Sequence, residues 1–243
     1  SDLVIADKMP ELDAIVGGHS HTKRDSTLFR NGVLVTQASS YTEGLGKLTF
    51  TFKGKKLIKK EYEYINVKNL TEEDVTIAQA AQEFIDKSPL KTVLAEAAEQ
   101  LDGKEELGGL MCDALVSEYG VDFAVQNSGG VRISQLKKGP ITMEDVYTLD
   151  PFGNTVTIYN MSYTQLATLL KNSYRKYSQR ADLMCSGLKY KIYTKDGEAN
   201  RVEITDEQGN PVDQNRTFKV AMNNYISSSY SFDQSGLVEE TAN

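Results

Sequence analysis

Two regimes of hydrophobic patterning succeed each other along this chain, with the change near residue 70. Before it the pattern is mostly strand-like. Asp2 to Met9 reads as a short helix. Leu12 to Val16 is an apolar run that reads as a buried strand running into Gly17-Gly18, and Gly32 to Ala38 reads as a second strand. Leu48, Phe50 and Phe52 alternate along a third, Gly54 makes a turn, and Leu57 to Ile65 returns. The period then becomes helical. Thr71-Glu72-Glu73-Asp74 reads as a helix start, with Thr71 as N-cap and acids in the first turn. Ile77, Ala78, Ala81, Phe84 and Ile85 follow at helical spacing, and Ser88-Pro89 ends the helix.

Beyond it helices and strands mix. Leu107, Leu110, Met111, Ala114 and Leu115 mark one side of a helix that stops at Gly120, and Val121 to Gln126 is a short apolar strand. Ser162-x-x-Gln165 is a capping box, after which Leu166, Leu169, Leu170, Tyr174 and Tyr177 mark an amphipathic helix. Strands are expected at 154–160, 187–194, 200–206 and 216–222, with a turn at Gln208-Gly209-Asn210-Pro211. The expected class is mixed αβ (α+β). The expected division is a β-rich part at 1–66, a linker helix within 67–89 and a second unit at 90–243.

Composition narrows the picture in a few respects. At 243 residues and 40% hydrophobic, the chain can bury a real core. A net charge of −7 disfavours sequence-independent binding to nucleic acid or anionic membranes. No apolar run approaches the roughly 18 residues of a membrane span. Cys112 and Cys185 are two cysteines only, too few to fix a redox compartment, and read as buried free thiols.

Chemistry concentrates in three loops. The chain's two histidines both sit in Gly17-Gly18-His19-Ser20-His21-Thr22. His-x-His on a glycine turn after a strand can offer two nitrogens to one metal or to two adjacent metals. The plainer alternative is a pair of surface histidines. Of the acids that precede them, Asp2 and Asp7 fall in the short helix without ligand-like spacing, whereas a two-metal site needs roughly six or seven donors. The remaining ligands are therefore expected in upstream sequence, making this chain the later part of a longer enzyme.

The second loop is Gln126-Asn127-Ser128-Gly129-Gly130-Val131-Arg132. Its glycines let a ligand approach the backbone. Arg132 offers a planar fork for phosphate or carboxylate, and Asn127 can donate and accept at a nucleobase edge. A tight turn with a surface arginine is the alternative. The third is Asp150-Pro151-Phe152-Gly153-Asn154, where Phe152 stands either as a stacking platform or as a loop anchor in the core.

Together these motifs resemble the 5′-nucleotidase family, with its UDP-sugar hydrolases and 2′,3′-cyclic-nucleotide phosphodiesterases. Gly17 to Thr22 is similar to the Gly-Gly-His-Ser-His-Thr that closes the family's metallophosphoesterase domain. Asn127 to Arg132 is similar to its Asn-Gly-Gly-Gly-Ile-Arg loop, and Pro151 to Asn154 to its Pro-Phe-Gly-Asn. Order and spacing agree over nearly the whole chain.

The resemblance implies the closing edge of a four-layer α/β/β/α metallophosphoesterase domain at 1–66. It also implies a hinge helix and a C-terminal nucleotide-binding domain. It implies His19 and His21 as ligands of two divalent metals (Zn, Mn or similar), with the other ligands and the phosphate-transfer histidine in a missing N-terminal catalytic part. It implies a nucleoside phosphate or nucleotide-sugar substrate, with the base between Phe152 and Tyr225, Asn127 at the base, Gly129 and Gly130 lining the approach, and Arg132 near the phosphate. The implied setting is nucleotide catabolism in the periplasm, at the cell surface or outside the cell.

Two segments depart from the pattern. The family's Gly-Gly-Asp-Gly, whose Asp binds the ribose, is replaced by Ser227-Ser228-Ser229-Tyr230-Ser231-Phe232-Asp233, leaving Asp233 as a displaced substitute. The arginine that family members often place before the Met-Gly helix start is absent, and Lys104 is the nearest cation. The expectation is a nucleotide phosphate-ester hydrolase as the parent, with this chain alone inactive. The alternatives are a module that binds nucleotide without turnover, or an offshoot acting on cyclic nucleotides, UDP-sugars or a sulfur-containing ester.

Overall fold

The computed structural model describes residues 2–237 and the backbone of 239–242. Its contacts divide the chain into two compact units, residues 1–84 and 85–243.

In the first unit, helix α1 (Asp2–Lys8) is followed by strands β1 (Ala14–Val16), β2 (Phe29–Arg30) and β3 (Val33–Thr36). β3 lies between β1, to which it is parallel, and β2, to which it is antiparallel. Ala6, Val33 and Val35 form its small core, with Leu3, Leu12, Ile15 and Leu28 against them. Arg30 pins α1 to β2 by donating to both carboxylate oxygens of Asp7, at 2.6 and 2.9 Å. A long hairpin completes the unit: β4 (Gly44–Lys53) pairs antiparallel with β5 (Lys56–Asn66), turning at Gly54 as the alternation predicts.

Helix α2 (Val75–Lys87) holds the boundary between the units, which falls after Phe84. It starts later than the sequence suggests. Asp74, not Thr71, caps it: the Asp74 carboxylate accepts from the amides of Thr76 and Ile77 at 3.0 and 3.2 Å. Three acids in a row each fit an N-terminal turn, so composition alone does not say which one faces the free amides.

The second unit runs through β6 (Val93–Ala97), β7 (Leu101–Asp102), α3 (Gly103–Tyr119), β8 (Phe123–Asn127), β9 (Gln135–Leu136), β10 (Gly139–Thr142) and α4 (Met143–Leu149). It continues with β11 (Val156–Ser162), α5 (Tyr163–Asn172), β12 (Tyr174–Arg175), β13 (Arg180–Ala181), β14 (Leu183–Ser186), β15 (Lys189–Lys195) and β16 (Glu198–Thr205). β17 (Thr217–Asn223), α6 (Asn224–Ser229) and β18 (Glu239–Ala242) close it. Its backbone is a five-stranded sheet in the order β14-β8-β17-β11-β18. β8 and β17 are parallel, and the other pairs are antiparallel.

Alternation along β8 explains the layering. Phe123 and Val125 face the main core with Leu166, Leu169 and Leu170 of α5, Val202 and Ile204 of β16, and Phe218, Val220 and Met222 of β17. Ala124 faces the other way, onto Cys112 of α3 with Ile158 and Ala221. α3 ends before Gly120, where the sequence stops it, and the φ of +58° there makes a left-handed cap. The capping box at Ser162 and Gln165 forms as expected. α5 stops at Asn172, however, so Tyr174 lies on β12 and Tyr177 is fully exposed beyond it. Both cysteines are free thiols, Cys112 buried and Cys185 half-buried on β14. A second capping box, Thr142 with Asp145, starts α4.

Candidate functional site

The parallel pair β8 and β17 ends in two asparagines, Asn127 and Asn223, and the antiparallel β11 begins beside them: Val156 pairs with Asn223. Loops leaving these strand ends converge on one edge of the sheet. That edge gathers most of the residues singled out in the second unit.

Asn223 is the organiser. Its Oδ1 accepts from the Ile226 amide at 2.8 Å and caps α6, while its Nδ2 donates to Asn127 Oδ1 at 3.1 Å and Gln126 Oε1 at 3.2 Å. All three amides are buried. This leaves the Gln126 Nε2 donor without a partner among the described residues. Gly130 makes room for these amides: a Cβ there would lie 2.2 Å from Gln126 Nε2 and 3.0 Å from Asn127 Oδ1. The glycine therefore serves close approach of the neighbouring amides. Gly129, next to it, is exposed at the tip of the turn.

Arg132 leaves this loop with its backbone amide donating to the Leu149 carbonyl at 2.9 Å. Its Nη1 lies 3.5 Å from the Gly129 carbonyl, and its guanidinium stands 5.5 Å from the Phe152 ring centroid. The Phe152 ring is not a core anchor, since the residue is 52% exposed. Its loop is fixed at Asp150, whose carboxylate accepts the Phe152 amide at 3.2 Å. Tyr225 is likewise 52% exposed, in the first turn of α6. Lys104 donates to the Ser128 carbonyl at 2.8 Å, so this cation braces the loop from behind.

Beneath the loop lies a charged cluster that sequence reasoning missed. Asp182 accepts from the Ser128 hydroxyl, the Tyr230 hydroxyl and Arg175 Nη2, the last at 2.7 Å. Burial pushes the Asp182 carboxyl upward, but these bonds and the Arg175 charge prevail and hold it below the ordinary carboxylate value. Burial raises the Tyr230 phenol, as does its bond to Asp182. Ser128, Arg175, Asp182 and Tyr230 are spread over about a hundred positions. No local spacing announces their meeting.

Asp233 is not part of the cluster. Its carboxylate turns back to the Ser235 amide at 2.9 Å, and its carbonyl accepts from Gln165 at 3.1 Å.

In the first unit the loop after β1 carries both histidines, exposed, with His21 at φ 54° and its ring edge-on to Tyr41 at 5.9 Å. Ser20 between them donates to Gln37 Oε1 at 2.9 Å. Gln37 is buried, and its Nε2 has no partner among the described residues. Asp7 is committed to Arg30, which holds its carboxyl below the usual range. The Asp2 carboxylate packs against Gly17. No group of three or more His, Cys, Asp or Glu that could hold a metal occurs among the described residues. Two imidazoles fall short of a metal pair, so the residues present do not hold one by themselves.

Comparison with known proteins fits this layout. The model of the family described as "5′-nucleotidase, C-terminal domain" matches residues 77–231. Among curated proteins, the chain is 29% identical to "Endonuclease YhcR" of Bacillus subtilis over 89% of its own length and 18% of that protein's. It is 27% identical to "Trifunctional nucleotide phosphoesterase protein YfkN" of the same organism, over 93% of this chain and 17% of that one. Among solved structures, the 5′-nucleotidase precursor from Thermus thermophilus superimposes with a TM-score of 0.67 at 27% identity, covering 95% of this chain and 54% of that chain. The chain thus spans under a fifth of these two curated relatives and about half of the solved one. The match over most of the second unit, where the strand-end asparagines, Arg132 and Phe152 sit, shows that the chain belongs to the 5′-nucleotidase family through its C-terminal domain.

Proposed function

We propose that residues 85–243 bind the nucleoside part and phosphate of a nucleotide, and that the chain serves a longer, 5′-nucleotidase-like phosphoric ester hydrolase. One observation carries the reading: an exposed Phe152 ring, the Arg132 guanidinium beside it and the Asn127 amide are gathered at one sheet edge. An exposed aromatic face takes a base by stacking, a guanidinium fork takes a phosphate, and an amide reads a base edge. Tyr225 would close the other face of the base, with the exposed Gly129 giving the backbone approach and Gly130 making room for the buried amides behind it. Asp233 is left without a role at the ribose.

His19 and His21 would be two of the ligands for a pair of divalent ions, with the others supplied by a catalytic part that this chain does not contain. When bound, such ions activate water and neutralise charge on phosphorus. No step of that chemistry is assigned to this chain. The absence of a three-donor cluster among the described residues supports a second reading, a module that holds nucleotide or nucleotide-sugar without turnover. Among the described residues no helix is long and apolar enough to cross a membrane. A periplasmic, cell-surface or secreted setting goes with the family resemblance.

Titration of the full chain with adenosine, AMP and UDP-glucose tests the reading. Binding that weakens on loss of Phe152 or Arg132 supports it. Absence of binding at millimolar concentration overturns it.

A further inference from the structure

We propose that Asp182 is a positioning residue for the nucleotide site, its single carboxylate tying the Asn127–Arg132 loop to the segment that carries Tyr225. The inference rests on the nucleotide-binding reading of that site. Three donors converge on one group. Ser128, the residue after Asn127, donates its hydroxyl to Oδ1, while the Tyr230 hydroxyl and the Arg175 Nη2 group donate to Oδ2. The backbone reinforces the first arm: the Ser128 amide donates to the Asp182 carbonyl at 2.9 Å, and the Asp182 amide donates to the Ser173 carbonyl at 3.0 Å. The second arm is equally direct. Tyr230 closes α6, its amide donating to the Ile226 carbonyl at 3.1 Å, and Tyr225 stands in the first turn of that helix.

Arg175 completes the junction. Its guanidinium also donates to the Tyr230 hydroxyl at 3.1 Å and lies 5.3 Å from that ring's centroid. Lys104 faces the same loop through the Ser128 carbonyl. Only an ionised carboxylate accepts all three donors without offering one of its own. An amide at 182 keeps one accepting oxygen and turns an NH₂ group toward donors. The influence of Asp182 on a base or a phosphate passes through the two segments it ties together.

Two readouts test this, on the full chain as wild type, Asp182→Asn, Tyr230→Phe and the double variant. The first is the position of the Gly129 and Gly130 amide resonances without ligand. Removing the Tyr230 hydroxyl should shift these amides when Asp182 is present and shift them less in the Asp182→Asn background, where the hydroxyl still meets Arg175. The second is AMP affinity by calorimetry. Asp182→Asn should lose roughly tenfold to a hundredfold, the range for hydrogen bonds to a charged group. The double variant should lose no more than the single one.

An Asp182→Asn chain that binds AMP as wild type does overturns the proposal. So do Gly129 and Gly130 amides indifferent to Tyr230→Phe, a change that removes one hydroxyl and leaves the ring. If wild type binds no AMP while the amides still respond, the nucleotide reading fails and takes the positioning role with it, leaving a structural tether alone.

Discussion

Thr155 and Asn224 clasp each other across 69 positions of sequence: the Thr155 amide donates to Asn224 Oδ1 at 3.1 Å, and the Asn224 amide donates to the Thr155 carbonyl at 3.0 Å. The first residue ends the loop of Phe152, and the second begins the helix of Tyr225. These two bonds tie the end of the Phe152 loop to the start of the Tyr225 helix. Asn224→Ala removes one of the pair, and a typical net bond is worth about 0.5–1.5 kcal/mol. Adenosine affinity should fall roughly two- to tenfold with little change in melting temperature. Unchanged affinity would mean that the clasp does not set the ring spacing.

Helix capping gives a test of local structure. Asp74→Ala removes the acceptor for two free amides of α2 and should cost about 1 kcal/mol of helix stability, whereas Thr71→Ala should cost nothing measurable. Ser162→Ala breaks the box that starts α5, the helix whose Leu166, Leu169 and Leu170 line the main core. It should destabilise the second unit by about 1 kcal/mol in urea unfolding. A larger effect at Thr71 than at Asp74 would reverse the assignment.

What could be read in the sequence was local. The strands of the hairpin turning at Gly54, the helix stop at Gly120 and the box at Ser162 follow from spacing alone, and each is where its period puts it. The Asn127 and Phe152 loops were visible because glycines and a proline punctuate them. Two helix limits were misplaced where adjacent residues compete for one role: Thr71 against Asp74, and Tyr174 as a helix residue against Tyr174 as a strand residue. The Asp182 junction was invisible. Its members are brought together by the order of strands in the sheet, and a strand order cannot be read from a period of two. Asn223 stands two residues before Tyr225, but its bond to Asn127 depends on β8 and β17 lying parallel and adjacent.

The cysteines make a pH-dependent test. Burial pushes the Cys185 thiol up to about 11, and pushes Cys112 higher still. A raised thiol stays protonated at neutral pH, so about one Cys185 in a thousand is thiolate at pH 8. Alkylation of the native chain should be slow at pH 8, rise about tenfold per pH unit, and begin at Cys185. Rapid modification of both thiols at pH 8 would contradict the buried placement.

The histidine loop is expected to be insufficient on its own. With two imidazoles and no group of three or more His, Cys, Asp or Glu that could hold a metal among the described residues, the purified chain should not hydrolyse nucleotides with added divalent metal. A metal-stimulated rate above about 1 per second, a low-to-typical enzyme turnover, would show that the ligand set is complete without further sequence.

On the proposed reading, the loops at one end of strands β8, β17 and β11 hold a nucleotide through Phe152, Tyr225 and Arg132. Calorimetric titration of the full chain and its three alanine variants with adenosine and AMP tests it most directly. Base stacking is worth about 1–3 kcal/mol per ring, so Phe152→Ala and Tyr225→Ala should each weaken both ligands roughly 5- to 150-fold. Arg132→Ala should weaken AMP more than adenosine, because only AMP offers a charge to the guanidinium. Wild-type binding that all three variants match, or no wild-type binding at millimolar ligand, would contradict the claim.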